Sequence, residues 1–229
     1  ARGRVAMAMG EGEPGASPSL AELTRDAVIP VLRFEDRETA QGAVEVVVAA
    51  GFTVIEVTLS VPGATDLIAD LAVGHPGVLV GAGTVLTLPD AERCLEAGAR
   101  FVVSPCYVDG LTDLCREAGA ACLPGALTPT EAMSAWRAGA TAVKVFPAAS
   151  VGGPAHVKAL RSVLPEVPLV PTGGVTLEAV PAYLAAGAAA VGVGGELIDA
   201  AALREGRRED AVAHAARFLA AGRAARSGA

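Results

Sequence analysis

Short apolar runs alternate with helix-like segments along the chain, and a repeated Ala-Gly pair marks the joints between them. The pair occurs at 50–51, 97–98, 118–119, 138–139 and 186–187, and a run rich in Val, Ala, Ile or Phe follows each copy. A glycine fits the left-handed position that ends a helix, and a short apolar run fits a strand buried on both faces. The pattern predicts a repeating unit of helix, glycine cap and strand.

The spacing of these glycines predicts the number of units. The steps from Gly98 to Gly119 and from Gly119 to Gly139 are 21 and 20 residues, whereas Gly51 to Gly98 and Gly139 to Gly187 are 47 and 48, close to two units each. Each long step contains one more apolar run, and another stands at the front. The predicted strands cover residues 27–33, 52–58, 78–84, 100–105, 120–124, 141–147, 168–173 and 188–194.

Eight strands, each followed by a helical pattern, predict an α/β fold of the closed (β/α)8 TIM-barrel type. An open doubly wound sheet is the alternative, and it usually has fewer strands and less even spacing. We predict a single barrel domain over residues 19–229, which includes a C-terminal helix, and a flexible N-terminal extension over residues 1–18. That extension is rich in Ala, Gly and Pro and lacks the apolar run of a signal peptide.

Composition excludes several classes of protein. Of the 229 residues, 52% are hydrophobic and 19% charged, with a net charge of −7. This argues against a disordered chain and against a nucleic-acid partner, which usually requires a basic face. The longest uncharged stretch, 71–89, contains a Gly-His-Pro-Gly turn signal and predicts no membrane span. Four cysteines without a C-x-x-C pair predict reduced thiols in a cytoplasmic protein.

Barrel enzymes place their chemistry at the carboxyl ends of the strands, where this sequence has few polar residues. Lys144 is the most informative, because the chain has two lysines while arginine supplies the other sixteen cations. It lies inside a predicted buried strand, whereas Lys158 lies on a predicted helix surface. Burial disfavours the charged form of lysine, and a neutral amine attacks a ketone to form an imine. The alternative is a structural ion pair with a carboxylate.

Glu56 occupies the matching place on the second predicted strand, where an unpartnered carboxylate would be costly. Burial raises the pKa of a glutamate towards neutrality, which suits a group that both takes and gives a proton. We therefore predict Glu56 as the proton shuttle. A structural ion pair between Glu56 and Lys144 is the competing interpretation, and both could hold in a resting enzyme.

Two glycine pairs follow the last two predicted strands, Gly173 with Gly174 and Gly194 with Gly195. In barrels this corner commonly binds phosphate through exposed backbone N–H groups and a helix start. The alternative is a pair of tight turns without chemical consequence. His75, His156 and His214 show no ligand spacing, so we expect no metal and no cofactor.

These residues resemble the 2-keto-3-deoxy-6-phosphogluconate (KDPG) and 4-hydroxy-2-oxoglutarate (KHG) aldolases, a family of class I, metal-free pyruvate aldolases. The resemblance spans about residues 21–220. The segments that carry it are IEVTL at 55–59, GAGTVL at 81–86, VSP at 103–105, PG with TPTE at 124–131, KVFP at 144–147, PTGG at 171–174 and GVGG at 192–195.

The resemblance implies that Lys144 forms the imine and Glu56 shuttles the proton. It further implies that Arg33 and Thr84 hold the carboxylate of pyruvate or neighbouring hydroxyls, and that Pro105 and Phe146 shape the pyruvate pocket. The remaining implied substrate-binding residues are Thr58, Thr172, Gly173, Gly174, Gly194 and Gly195. The expected partner is a phosphorylated keto acid of the Entner–Doudoroff pathway, and the expected assembly is a homotrimer.

The chain departs from some family members at Ser60, where they carry an arginine, and at Glu196, where they carry a serine beside the phosphate. This leaves room for KHG, which has no phosphate, or for the galactonate-derived epimer as substrate. A function of a different class is a carrier that holds pyridoxal phosphate on Lys144 without turnover, which leaves Glu56 and Thr84 without a role. A minor alternative is an isomerase or synthase that uses the phosphate corner and forms no imine.

Overall fold

A computed structural model describes residues 17–227 and contains parallel strands alternating with helices. The strands are β1 (Val28–Leu32), β2 (Val54–Thr58), β3 (Leu79–Gly83), β4 (Phe101–Val103), β5 (Ala121–Leu123), β6 (Gly125–Ala126), β7 (Val143–Val145), β8 (Leu169–Pro171) and β9 (Val191–Val193). The helices are α1 (Leu20–Thr24), α2 (Arg37–Ala49), α3 (Ala64–Gly74), α4 (Leu88–Glu96), α5 (Leu111–Glu117), α6 (Pro129–Arg137), α7 (Pro154–Val163), α8 (Val180–Ala185), α9 (Ala200–Arg204) and α10 (Arg208–Ser227).

All paired strands are parallel, and together they curl. Six strands pair in the order β5-β4-β3-β2-β1-β9, and three in the order β6-β7-β8. Thr172, directly after β8, bridges to Gly192 of β9, and the Thr141 N–H, two residues before β7, donates to the Cys122 carbonyl of β5. The two sheets therefore meet at both margins, with the helices packed outside.

The repeat predicted from the Ala-Gly pairs is confirmed. All five glycines have positive φ, between 66° and 98°, and each directly follows the alanine that is the C-cap residue of its helix. Only glycine adopts this conformation readily, because a Cβ would crowd the following carbonyl. Each unit thus ends its helix at the Ala-Gly pair and enters its strand within a few residues.

Strand pleating decides which residues face the inside of the curl. One buried cluster contains inward residues from most strands together with Leu23 of α1, which covers the amino ends of the strands. Val54 and Ala142 belong to it. Because successive side chains on a strand alternate between faces, Glu56 and Lys144, each two residues further on, point to the same interior. The larger cluster fills the layer between strands and helices.

Three details differ from the sequence-based expectation. The strand predicted over 120–124 is interrupted at Pro124 and resumes as β6, because proline has no N–H for the ladder. α1 was not predicted, although Ser19 and Glu22 form a capping box at its start. Of the predicted extension 1–18, residues 1–16 lie outside the described part of the chain, whereas Ser17 hydrogen-bonds the Ala120 carbonyl.

No helix within residues 17–227 is both long enough and apolar enough to cross a lipid bilayer.

Candidate active site

Two oppositely charged side chains meet inside the curled sheet near the carboxyl ends of the strands. Lys144 of β7 is 4% exposed and Glu56 of β2 is 3% exposed. Lys144 Nζ lies 3.8 Å from Glu56 Oε1, which is within ion-pair distance but too long for a hydrogen bond. A buried pair at this separation leaves the amine and the carboxylate close to each other without locking them together.

Glu56 has one oxygen without a partner. Within the described chain, Glu56 Oε1 is buried and accepts no hydrogen bond. Such an atom is costly, and sites of this kind commonly receive a water or a ligand group. Space for the carboxylate comes from Gly83 of β3, where an added Cβ would lie 1.9 Å from Glu56 Oε1. Gly83 is therefore required for the position of Glu56.

Lys144 also lies beside an aromatic ring. Its Nζ is 5.4 Å from the ring centroid of Phe146, which is 37% exposed and forms the wall of the site towards solvent. A cation at this distance is attracted to the face of an aromatic ring. The ring therefore helps to accommodate the charged form of the lysine.

A second cation, Arg33, stands directly after β1, and within residues 17–227 its guanidinium is held by hydroxyl groups. Its Nη2 donates to Thr84 Oγ1 at 2.9 Å and its Nη1 donates to Ser60 Oγ at 3.4 Å. Ser60 Oγ is 2.7 Å from Thr58 Oγ1, which in turn donates to the Leu32 carbonyl at 2.9 Å. No carboxylate of the described residues forms an ion pair with Arg33. Its guanidinium is available to a ligand anion.

Thr84 adopts an unusual backbone conformation for a β-branched residue, with φ of 59°. Such conformations cost energy and often occur at functional sites. The strain here coincides with the hydrogen bond from Arg33, so the threonine hydroxyl is fixed at the mouth of the site.

A cavity of about 160 Å³ opens beside these residues. It is lined by Val31, Arg33, Lys144, Phe146, Thr172, Gly173, Gly174, Val175, Gly194, Gly195 and Glu196. Most of the residues selected from the sequence therefore share one cavity. Pro105 lies apart from it, in an adjoining cavity that shares Phe146. Thr58 and Thr84 join the site through the hydroxyl network of Arg33.

The glycine corner forms the far end of this cavity. The N–H groups of Gly173, Gly174, Gly194 and Gly195 donate to no backbone carbonyl of the described residues. The prediction that a helix starts at this corner is wrong, because α8 begins only at Val180 and α9 at Ala200. Buried apolar residues follow each pair, namely Val175, Leu197 and Ile198, and they return the chain to the core before the helix begins. Loop segments, rather than helix ends, therefore line this end of the cavity.

Other residues considered from the sequence lie elsewhere. Lys158 is exposed on α7. Cys94, Cys115 and Cys122 are buried free thiols, and burial raises the pKa of Cys94 to about 11. A hydrogen bond with Cys115, together with burial, raises the pKa of Cys122. Cys94 and Cys122 therefore stay protonated, and all three buried side chains act as small core residues.

Two features of the site were not predicted from the sequence. The space that Gly83 leaves for Glu56 was not predicted, although glycine inside a strand often marks a close approach of another group. The role of Ser60 in holding Arg33 was also missed, because the hydroxyl network depends on three strand ends whose distances only the fold defines.

Comparison with known proteins identifies the family to which the chain belongs. Residues 20–213 match the family model of the KDPG and KHG aldolases. The chain belongs to this family. A relative in Zymomonas mobilis, a 2-dehydro-3-deoxy-phosphogluconate aldolase, is 41% identical over 69% of this chain and 75% of its own length. A probable 2-dehydro-3-deoxy-6-phosphogalactonate aldolase of Rhizobium meliloti is 39% identical over 74% of this chain and 81% of its own.

A solved structure of the family resembles the chain closely. It is the KDPG aldolase of Legionella pneumophila with pyruvate captured at low pH as a covalent carbinolamine intermediate. The TM-score is 0.75 at 31% identity, over 93% of this chain and 98% of that one. Sequence and structure thus both place the chain among the KDPG and KHG aldolases.

Proposed function

We propose that this protein is a class I aldolase that cleaves 2-dehydro-3-deoxy-6-phosphogluconate to pyruvate and glyceraldehyde 3-phosphate through an imine at Lys144. The observation that carries the proposal is the buried Lys144–Glu56 pair at 3.8 Å, with one carboxylate oxygen unpartnered. A structural ion pair would satisfy both groups. Here the carboxylate instead keeps an unpartnered buried oxygen, and the amine beside it lines a cavity.

The imine forms by ordinary carbonyl chemistry. The neutral amine of Lys144 attacks the C2 carbonyl of the keto acid, and the resulting carbinolamine loses water to give a protonated imine. This cation withdraws electrons from C3. The phenyl ring of Phe146, 5.4 Å from Nζ, lies where it stabilises positive charge on that nitrogen.

Cleavage requires a base close to the same nitrogen. Glu56 takes the proton of the C4 hydroxyl, the C3–C4 bond breaks, and its electron pair passes into the enamine while the aldehyde leaves. Glu56 then returns the proton to C3 of the enamine, and water hydrolyses the imine to release pyruvate. One carboxylate performs both transfers, so it must reach both the C4 hydroxyl oxygen and C3, and the unpartnered Oε1 is the oxygen assigned to this task.

Arg33 and Thr84 are proposed to hold the carboxylate of the pyruvyl part. A guanidinium and a hydroxyl offer charge-assisted hydrogen bonds to a carboxylate. Phe146 shares the cavity with Lys144 and Pro105 borders Phe146, so both are proposed to enclose the methyl end of pyruvate. Thr58 contributes by supporting Ser60 beside Arg33.

The distal phosphate is proposed to bind at the glycine corner. The free N–H groups of Gly173, Gly174, Gly194 and Gly195 suit an anion, and Thr172 lines the same cavity. Glu196 also lines it, and a carboxylate there disfavours a phosphate dianion unless it turns to solvent. The galactonate-derived substrate and KHG are therefore the alternatives, and the similarity to the Rhizobium meliloti protein supports the galactonate series.

Several finer properties accompany this proposal. The strand pairings at both margins support closure into an eight-unit barrel. A homotrimer, a cytoplasmic location and a place in the Entner–Doudoroff pathway are expected from the family resemblance and from the reduced cysteines.

Release of pyruvate tests the proposal. The purified protein is incubated, with a metal chelator present, with the phosphorylated gluconate-derived acid, its galactonate epimer or KHG, and pyruvate is coupled to a dehydrogenase. We expect pyruvate from a phosphorylated acid. Absence of pyruvate from all three substrates would overturn the aldolase assignment, and a visible absorption band from bound pyridoxal phosphate would support the carrier instead.

A further inference from the structure

The loop after β9 carries half of the glycine corner and has little to hold it on its outer side. Gly195 and Glu196 are exposed, and a Cβ added at Gly195 would meet nothing within 4 Å. Immediately downstream, Leu197 is fully buried and its N–H closes a turn onto the Gly194 carbonyl at 2.9 Å. The end of the loop is therefore anchored, while its tip is free of packing.

One side chain from outside the loop reaches this tip. His214 of α10 places its Nε2 2.8 Å from the backbone carbonyl of Glu196. The imidazole rests edge-to-face on Phe218, with ring centroids 5.5 Å apart, and Phe218 is 1% exposed. A carbonyl only accepts, so Nε2 is the donor in this bond. A ring supported by the core thus holds a peptide group of an exposed loop.

This bond has a consequence for anion binding. A carbonyl oxygen that turned towards the cavity would repel an anion, whereas N–H groups attract it. His214 retains the Glu196 carbonyl on the side of α10 and does not itself line the cavity. The N–H of the same peptide group, that of Leu197, donates to the Gly194 carbonyl, so this bond also helps to hold the turn that carries Gly194 and Gly195 at the cavity.

We propose that His214 is a positioning residue for the distal anionic group of the substrate. It acts through the Glu196 carbonyl and touches neither the substrate nor the reacting atoms. This inference rests on the proposed function, since it assumes that a substrate phosphate binds at the glycine corner. It predicts an effect on phosphorylated substrates that is absent for the pyruvyl part.

Three variants and one matched control test it. His214→Leu removes the donor and retains apolar contact with Phe218. His214→Gln places an amide donor near the position of Nε2, whereas the shorter His214→Asn cannot reach the carbonyl. The control is His156→Leu, because His156 of α7 makes the same kind of bond, Nε2 to the Leu127 carbonyl at 2.9 Å, on a different loop.

The measurements are KM and kcat for the phosphorylated keto acid and for the same acid without phosphate, with exchange of the C3 protons of pyruvate as a readout of imine chemistry. We expect His214→Leu and His214→Asn to raise KM for the phosphorylated acid roughly three- to tenfold, the worth of one hydrogen bond. His214→Gln should restore most of the loss. Proton exchange, and KM for the unphosphorylated acid, should change by less than about twofold in all variants.

The outcomes separate this inference from the proposed function. Equal changes in KM for both acids, no change for either, or the same increase in His156→Leu would overturn the role of His214. If wild-type protein shows no proton exchange with pyruvate, the imine mechanism itself fails. If His214→Leu does not fold, the contrast between the Gln and Asn variants decides the matter, and equal KM values for the two would overturn the inference.

Discussion

Two buried carboxylates at opposite ends of the strands differ in how completely they are partnered. Asp26, just before β1, accepts hydrogen bonds at Oδ2 from the N–H and the hydroxyl of Thr53, at 2.8 and 2.7 Å, and pairs through Oδ1 with Arg223 at 2.9 Å. Glu56 is equally buried, yet its Oε1 has no hydrogen bond within the described chain and its cation is 3.8 Å away.

This difference distinguishes a carboxylate that stabilises the fold from one that is suited to a chemical role. A buried charge with all its hydrogen bonds filled fixes the fold around it, and Asp26 ties α10 to the amino end of β1 in this way. A buried charge left partly unsatisfied costs free energy, and such groups are concentrated at functional sites. Burial alone thus does not distinguish the two carboxylates, whereas the unpartnered oxygen of Glu56, next to a lysine that lines the cavity, does.

Loss of the imine-forming amine should give the largest effect. Lys144→Met removes the nucleophile, and we expect kcat/KM to fall by at least about a thousandfold. Lys158→Met is the matched control, because Lys158 is exposed on α7, and its activity should equal that of wild type. Initial rates of pyruvate release measure both. Activity of Lys144→Met within tenfold of wild type would mean that Lys144 is not the nucleophile, because tenfold corresponds to only about 1.5 kcal/mol of activation free energy.

Removal of the proton shuttle should rank second. Glu56→Gln retains the shape of the side chain but cannot accept the C4 hydroxyl proton, so kcat should fall about 10²- to 10⁴-fold. Reduction by borohydride in the presence of pyruvate should still label Lys144. A variant that cleaves normally would show that Glu56 is structural, like Asp26.

The counterpart at the other end should alter stability and leave catalysis intact. Asp26→Asn weakens the charge-assisted hydrogen bonds from Thr53 and Arg223, and we expect the free energy of unfolding to fall by about 1.5–3 kcal/mol. Urea denaturation measures this loss. The folded variant should keep its kcat, and a large drop in kcat without loss of stability would contradict the contrast.

The hydroxyl support of Arg33 should have a smaller effect, confined to binding. Ser60→Ala removes one partner of the guanidinium and leaves Thr84 in place. We expect KM for pyruvate exchange to rise about two- to fivefold while kcat changes little, because one hydrogen bond at an exposed site is worth little. Ser60→Thr, which keeps a hydroxyl, should behave as wild type. A fall in kcat with unchanged KM would assign Ser60 a different role.

A third carboxylate should give the smallest effect, and it depends on pH. Hydrogen bonds from the Leu127 and Thr128 backbone N–H groups hold the pKa of Glu131 below its usual range. A lowered pKa means that Glu131 stabilises the fold above its unfolded pKa and loses this contribution as the pH falls through the folded pKa. Glu131→Ala should cost less than about 1 kcal/mol at neutral pH.

Denaturation of Glu131→Ala and wild type across acid pH checks this sign. The difference in unfolding free energy between wild type and Glu131→Ala should shrink as the pH falls. It should vanish at a pH where the Glu131 carboxyl is protonated in both the folded and the unfolded state. A difference that grows in acid would show that the carboxylate is not the stabilising form.

The architecture was largely accessible from the sequence, because glycine caps and short apolar runs are local signals that survive into the fold. The burial of Lys144 and Glu56 inside the sheet was predictable for a related reason, since each charge lies within an apolar run of the sequence. Residues whose contacts come from segments far apart in the sequence could not be predicted in this way. Ser60 and His214 are residue types that are common on protein surfaces. They gain their partners only because the end of β2 approaches Arg33 and α10 approaches the loop after β9.

Family motifs also combine chemistry with scaffolding, which the sequence alone does not separate. TPTE at 128–131 is one of the segments that carry the family resemblance, and in the structure its Thr128 and Glu131 form the capping box of α6. Gly83, in GAGTVL, instead leaves the space that Glu56 occupies. A segment shared with a family therefore needs its contacts before it can be assigned to catalysis.

The most direct test of the account is reduction with borohydride in the presence of pyruvate, followed by peptide mass mapping. With two lysines in the chain, the outcome is unambiguous. We expect one reduced pyruvyl adduct per chain, on Lys144, and none on Lys158. An unlabelled Lys144 in active protein, or label on Lys158, would contradict it.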